Sequence, residues 1–521
     1  MTNASFLPRK LIIFGIVLPL AAFLGYLLSS PDFESLMLVG VFACVLAMPL
    51  FLRWHHLILL LTWNLAMNLY VLPGNPPLWM IAAYISLGIT LLSRILDKHK
   101  RLLGDASVTW SLLALALVVV FTMKMTAGVG LRSVGASVYG GRKYIFILSA
   151  IVAYFALSTQ AIPQLKVRAY AGAWCLGGIS PVFSHIIYAI GPGVWFLYGF
   201  FQADYAVAQA LEDLYSIGGV KIGRLTGFGP AGLAIFCFLL MRFGLRGILD
   251  WRKPWRLCVV LAAVAVSLLG GFRSISVLFV AVAVVQFWLE GLHKTRLLPG
   301  LLVGGSLLLV AIAPFARQLP LPVQRCMTVL PFMDLDPMVS SDTRASTDWR
   351  VRMWEVVLPD IPKYLWVGKG CTANATDFFL ANESMKRGLT KDFDVAMISG
   401  DYHSGPLSVI IPFGLPGVLA FIWFLIAAGR ALVRNHRYGD PSYRNLNAFL
   451  LAYFLARLAF FLFLFGSLHS DLIIFVGLVG VSISVNRGVC KAPAVTAALS
   501  AARSPGPLIL RPLRPLRPLR A

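Results

Sequence analysis

An all-α, polytopic integral membrane protein is the fold class this chain predicts, and three observations predict it. Hydrophobic residues make up 59% of the chain and charged residues only 13%, with a mean hydropathy of +0.80. Such proportions describe a lipid-embedded chain rather than a water-soluble domain. Apolar runs recur from residue 11 to residue 486, many of them close to the ~20 residues a helix needs to cross the hydrocarbon core. The short segments between them and the C-terminal tail hold most of the excess basic charge.

Helix is the expected conformation because lipid offers no partner to backbone N–H and C=O groups. The runs fall at 11–29, 36–52, 57–72, 78–93, 108–126, 144–160, 169–190, 227–242, 256–270, 274–290, 297–316, 405–428, 445–465 and 471–486, about 14 spans. The first follows Arg9-Lys10 without a small-residue cleavage site, so it reads as a retained helix. Gly270-Gly271-Phe272-Arg273 divides what would otherwise be one long greasy run. A single helix there would bury Arg273 at a cost of about 2.5–3.5 kcal/mol, so two helices with Arg273 at the turn are expected. Residues 1–316 thus form an N-terminal set of about 11 spans, and 404–486 a C-terminal set of about three. Between them lies a polar loop, 317–403, and after them a basic, Pro-rich tail, 487–521, that excludes regular helix.

The formal charge of +23 would suit nucleic acid, but its placement argues against that partner. The 317–403 loop has ten Lys/Arg and eleven Asp/Glu, leaving 35 basic and 11 acidic residues elsewhere. Most of that excess threads onto one side: Arg9-Lys10, Arg53, 98–101, Lys166/Arg168, 242–256, 293–296, 430–437 and the tail. By the positive-inside rule that side is cytoplasmic, with anionic membrane lipids as partners. Both termini are then inside. The outer side receives 30–35, 73–77, 127–142, 191–226, the Arg273 turn, 317–403 and 466–470. In a bacterial cell this is the periplasmic face of the inner membrane. Within 191–226, a short helix lying on the membrane surface is expected over 204–216.

That topology sorts the candidate chemistry. His55, His56, His99, His293 and His436 fall at cytoplasmic ends, where an interfacial role suffices. His185 fits a packing histidine and His469 a cap in a short outer turn. His403 differs, because it closes the long loop and opens a helix through Ser404-Gly405-Pro406. A helix start offers free N–H groups and a positive dipole end. Arg224, Arg273 and Arg350 are the outer arginines of interest, with Arg352 and Trp354 close to the last. Singly, each is an ordinary headgroup anchor. Converging, they would clamp a phosphate, since guanidinium groups bind phosphate oxygens bidentately and keep their charge. Trp349, Met353, Val356 and Val357 give the Arg350 segment an amphipathic helical pattern. Asp334/Asp336 and Asp392/Asp394 have a spacing seen in metal sites, but one common in any polar loop. No metal and no cofactor is expected. Cys326 and Cys371 both lie in the loop, and a disulfide between them stays open if it faces an oxidising compartment.

Taken in order, these motifs resemble a known family. Arg224 precedes Thr226-Gly227-Phe228-Gly229-Pro230, and Gly271-Phe272-Arg273-Ser274 opens a helix. Asp348-Trp349-Arg350-Val351-Arg352-Met353-Trp354 follows, then Trp366-Val367-Gly368-Lys369-Gly370, then Asp401-Tyr402-His403-Ser404-Gly405. Over residues 220–430 the pattern is similar to the bacterial O-antigen ligase and polymerase family. Ser404 stands where that family usually has asparagine. The resemblance implies transfer of a glycan from a polyprenyl-pyrophosphate carrier to a glycan, lipid-core or protein acceptor, without metal. It gives Arg224, Arg273 and Arg350 the diphosphate and His403 the acceptor's proton, with Arg352, Trp354 and Asp401 in support. A lipid-linked oligosaccharide flippase, a protein O-oligosaccharyltransferase and a metal-dependent transferase using Asp334/Asp336 remain the alternatives.

Overall fold

A computed structural model describes residues 6–29, 33–98 apart from 71 and 73, 103–126, 138–207, 210, 223–387 apart from 331, and 393–492. Among them nine helices are long and apolar enough to cross a membrane, or ten if one bent pair is a single span. The chain is an all-α, multi-pass membrane protein.

The first half contributes α1 (Phe6–Ser29), α2 (Phe33–Thr62), α3 (Leu78–Leu96), α4 (Ala106–Met125), α5 (Gly141–Ser158), α6 (Val167–Leu176) and α7 (Pro181–Ile190). Next come α8 (Phe228–Ile248), α9 (Trp255–Leu268), α10 (Arg273–Leu289) and α11 (Leu297–Ile312). The polar segment folds into α12 (Leu321–Met327), α13 (Pro337–Val357), α14 (Ile361–Tyr364), α15 (Ala375–Lys386) and α16 (Asp394–Ser399). Three long helices close the chain: α17 (Leu407–Tyr438), α18 (Arg444–Phe463) and α19 (Leu468–Asn486). The one described sheet is a two-residue antiparallel pair, β1 (Val138–Tyr139) with β2 (Ala373–Asn374).

Several runs fold differently from expectation. The run at 36–52 and the first part of that at 57–72 belong to one element, α2, broken at Trp54 and ending at Thr62. After Thr62 polar side chains capture the backbone: Ser180 Oγ accepts from Ala66 N, and Asn64 Nδ2 donates to the Trp174 carbonyl. The run at 169–190 is two helices, bent by 44° where Gly177, Gly178 and Pro181 interrupt it. Gly177 lies so close to α2 that a Cβ would come within 2.8 Å of the Leu61 carbonyl. Helices α9 and α10 are separate, as expected, and Arg273 is the first residue of α10. Residues 204–207 begin a helix, but most of the expected surface helix and the whole tail from 493 lie outside the described residues.

The core is a continuous apolar cluster in which α19 packs along α5, α17 along α4, and α8 along α9 and α18. Helix α19 is the most enclosed. Its Gly477 and Gly480 permit that, since a Cβ there would meet Trp63 and Leu157 at 2.5 and 2.9 Å. Without a hydrophobic force between helices in lipid, close packing at small residues supplies association.

Several of the segments between or at the ends of the spans meet in pairs. Met67 bridges to Phe201, Leu225 N donates to the Leu269 carbonyl, and β1 meets β2. Likewise, Leu103 N reaches the Thr159 carbonyl, Ile162 N the Ser484 carbonyl and Tyr443 the Gln164 carbonyl.

Candidate functional site

Three short elements bring arginines together. The α9–α10 turn bends at Gly271, which has φ +67, a conformation glycine adopts without strain. A side chain there would also strike Arg224, whose Cγ and Cδ would lie 2.8 Å from a Cβ. Arg325, on α12, reaches into the same turn: Nη1 donates to the Gly271 carbonyl at 3.4 Å, and Nε lies 2.8 Å from Asp342 Oδ2. On α13 the spacing Asp342, Ser346, Arg350 sets three polar residues on one helical face. Phe272, Arg273, Arg325, Thr347, Arg350 and Leu464 line a cavity of about 280 Å³. Arg224 lies behind Gly271, beside this cavity rather than in its wall.

The cations crowd one another. Burial, and then the nearby Arg224 and Arg273, push the Arg325 pKa below the usual arginine range, and Asp342 pulls it back. Burial and Arg325 lower that of Arg350 in the same way. Arginine keeps its proton regardless, so the cavity is a half-open, electropositive recess suited to a polyanion.

His403 is held by a second, smaller core of Met353, Val357, Phe393, Tyr402, Leu407 and Ile411. Met353 and Val357 are the inward residues of the amphipathic α13, whereas Val356 is exposed. Trp354 Nε1 donates to the Tyr402 carbonyl at 2.8 Å. Lys143, from α5, donates to the carbonyls of Ser399 and Gly400 at 2.7 and 3.0 Å and lies 4.0 Å from Asp401. Between these anchors His403 has φ +48, an uncommon conformation for a residue with a Cβ, which persists only where surroundings enforce it. Helix α17 starts at Leu407, so His403 precedes it by a turn rather than opening it. Its ring lies between Trp349 and Phe465, each with centroids at 5.3 Å. Burial lowers its pKa from 6.5; Asp401 opposes that, while Arg350 and Lys143 add to it. A neutral imidazole at neutral pH can accept a proton.

Phe465 joins the two parts. Its ring meets both His403, with centroids 5.3 Å apart, and the Arg350 guanidinium, 5.9 Å from the ring centre. Its short loop is fixed from below. Asp471 accepts from Arg457 Nε at 2.9 Å and from Ser467 N at 2.8 Å, and Ser408 Oγ bridges Leu468 N and the Gly405 carbonyl.

The Gly368-Lys369-Gly370 motif has a positional role. Helix α17 breaks at Gly414, with φ +61, and the 365–370 segment bonds the backbone around the break. Lys369 N and Gly370 N donate to the carbonyls of Ile411 and Pro412, and Leu415 N donates to Leu365. Backbone groups freed by the break are thereby satisfied, as a buried helix interruption requires.

Of the residues singled out in the sequence, Arg273 and Arg350 share a cavity wall, Arg224 flanks it, and His403 contacts the same Phe465 ring as Arg350. Arg352 does not join them. It follows Arg350 by two residues, roughly 200° around the helix, and is exposed. Asp401 is exposed beside Lys143, and Trp354 holds the turn. Asp334 pairs with Arg317 at 2.7 Å and Asp336 caps α13, so each carboxylate has another task. Asp392 lies outside the described residues, among which no three His, Cys, Asp or Glu side chains gather as metal ligands. Cys326 and Cys371 are both free thiols. His185 accepts from Gly227 N, and His469 bonds Ser467. Sequence reasoning missed Arg325, Lys143 and Phe465. Only Arg325 carried a signal, as a cation in the loop three residues after Pro322. No family model and no curated protein matches the chain.

Proposed function

We propose that the protein is a glycosyltransferase that moves a glycan from a polyprenyl-pyrophosphate carrier to an acceptor hydroxyl, in the manner of an O-antigen ligase or polymerase. One observation carries this reading: a cavity walled by arginines and a neutral, half-buried histidine share one aromatic neighbour, Phe465, which contacts both Arg350 and His403. An apolar groove of about 510 Å³ beside Trp354 and Ser404, walled by Leu407, Ile410, Phe421 and Phe461, would suit the carrier's hydrocarbon chain.

In the proposed reaction His403 takes the acceptor's proton as its oxygen bonds to the sugar's C1. The bond from C1 to the diphosphate breaks, and its electron pair leaves with polyprenyl pyrophosphate. Fixed guanidinium groups in a partly dry site stabilise that growing charge. On this reading the site faces the periplasm, both termini are cytoplasmic, and helices shorter than a full span, such as α9 and α10, bring the total towards the expected 14 or so.

The test is transfer by purified protein from a lipid-linked donor, with His403→Ala, Arg350→Ala and Arg352→Ala compared. His403→Ala should abolish transfer and Arg350→Ala should lower it about tenfold or more, the loss of one charged contact, while Arg352→Ala stays near wild type. Undiminished transfer by His403→Ala would remove the base from the scheme. A flippase reading instead requires donor movement across vesicles without new glycosidic bonds.

A further inference from the structure

Arginines crowd the cavity with one carboxylate close by, and that carboxylate is not in its wall. Asp342 sits behind Arg325, 2.8 Å from Nε, with the arginine side chain 11% exposed and its own 36%. Of the five N–H donors on a guanidinium, one Nη1 hydrogen faces the Gly271 carbonyl, while Nε and Asp342 Oδ2 form an ion pair at 2.8 Å without a well-aligned hydrogen bond. The head of Arg325 itself lines the cavity with Arg273 and Arg350.

We propose that Arg325 is a further ligand of the donor's diphosphate, and that Asp342 is its resident counter-anion, yielding part of its hold when the diphosphate enters. The inference rests on the diphosphate reading of this cavity and adds two residues to it. Like charges in a site of low polarity repel, and an empty cavity of this kind needs an internal anion to stay assembled. The same anion competes with the ligand. When the bond from C1 breaks, the electron pair stays on the diphosphate oxygen, so the leaving group carries one more negative charge than the bound donor. A cation beyond the three named in the sequence meets that added charge.

The two partners of one ion pair should therefore act with opposite signs. Full-length protein in detergent is titrated calorimetrically with inorganic pyrophosphate and with farnesyl pyrophosphate. Arg325→Gln should weaken binding about tenfold or more, as expected for loss of a charge-assisted hydrogen bond, with Arg325→Lys in between. Asp342→Asn should tighten it by about threefold to tenfold, because the competitor is gone. A purely structural pair would instead lose affinity from either side. Asp342→Asn keeps every arginine, so it remains readable even where Arg325→Gln does not fold. Weaker binding by Asp342→Asn would overturn the counter-anion role. If Arg273→Gln and Arg350→Gln lose affinity while Arg325→Gln does not, the inference fails and the diphosphate reading stands. If the wild type binds neither probe, both fall together.

Discussion

Exchanging Asp471 for asparagine should destabilise the protein by about 3–5 kcal/mol, the usual cost of stranding one member of a buried ion pair. Asp471 is 1% exposed and lies in the first turn of α19, where it accepts from Arg457 and from Ser467 N. Asparagine keeps a carbonyl for one donor but leaves the guanidinium unneutralised. An independent figure agrees, since a lone arginine within a span costs about 2.5–3.5 kcal/mol on insertion scales. The two ranges meet near 3 kcal/mol. Replacing both partners with leucine should cost less, about 1–3 kcal/mol, because no charge remains and the orphaned Ser467 N–H is the main loss. Unfolding in mixed micelles, run as a double-mutant cycle, gives the coupling directly. The same variant should slow transfer, because the loop it loosens carries Phe465. Asp471→Asn within about 0.5 kcal/mol of wild type, or a double variant as damaged as the two single losses together, would refute the reasoning.

Two further outcomes follow from the same geometry. Asp401 raises the His403 pKa, which burial holds below 6.5, so Asp401→Asn should move the acidic limb of the pH–activity profile further towards low pH. A limb that moves upward, or not at all, removes Asp401 from the histidine's surroundings. Gly368 has φ +85, and a Cβ there would lie 2.1 Å from the Pro412 carbonyl. Gly368→Ala should therefore cost about 3 kcal/mol or more and undock the 365–370 segment from the break in α17, read as a lower unfolding midpoint and faster proteolysis.

Much of the architecture was legible because lipid leaves the backbone so few options. Hydropathy located most of the helices, and two loops that charge threading put on one side, 127–142 and 317–403, do meet, through 138–139 and 373–374. The errors share a cause. Apolar composition marks where chain can enter lipid, but not whether it stays helical. At Thr62, at Gly177–Ser180 and at Gly414 the helix ends or breaks inside an apolar run, where neighbouring segments supply hydrogen-bond partners: Ser180 Oγ accepts from Ala66 N, and the 365–370 segment bonds Ile411 and Pro412. Those partners are distant in sequence, and no local pattern announces them.

The site was legible to the extent that its residues are chemically unusual where they stand. An arginine opening α10 and a histidine closing a polar loop are costly choices, so they drew notice before any geometry was known. Arg325 is costly too, but it sat in a stretch already rich in charge, where one more cation looked ordinary. What distinguishes it is burial, and burial comes from the fold: the Gly271 turn and Asp342 close over it from two other elements. Phe465 gave still less warning, because an aromatic residue at the end of an apolar run is what any membrane helix displays. Its importance lies in contact with His403 and Arg350 at once, and that depends on the Arg457–Asp471 pair holding its loop in place. Charge alone picks out the groups that could perform chemistry, whereas the apolar and paired residues that set their separation become visible only in three dimensions.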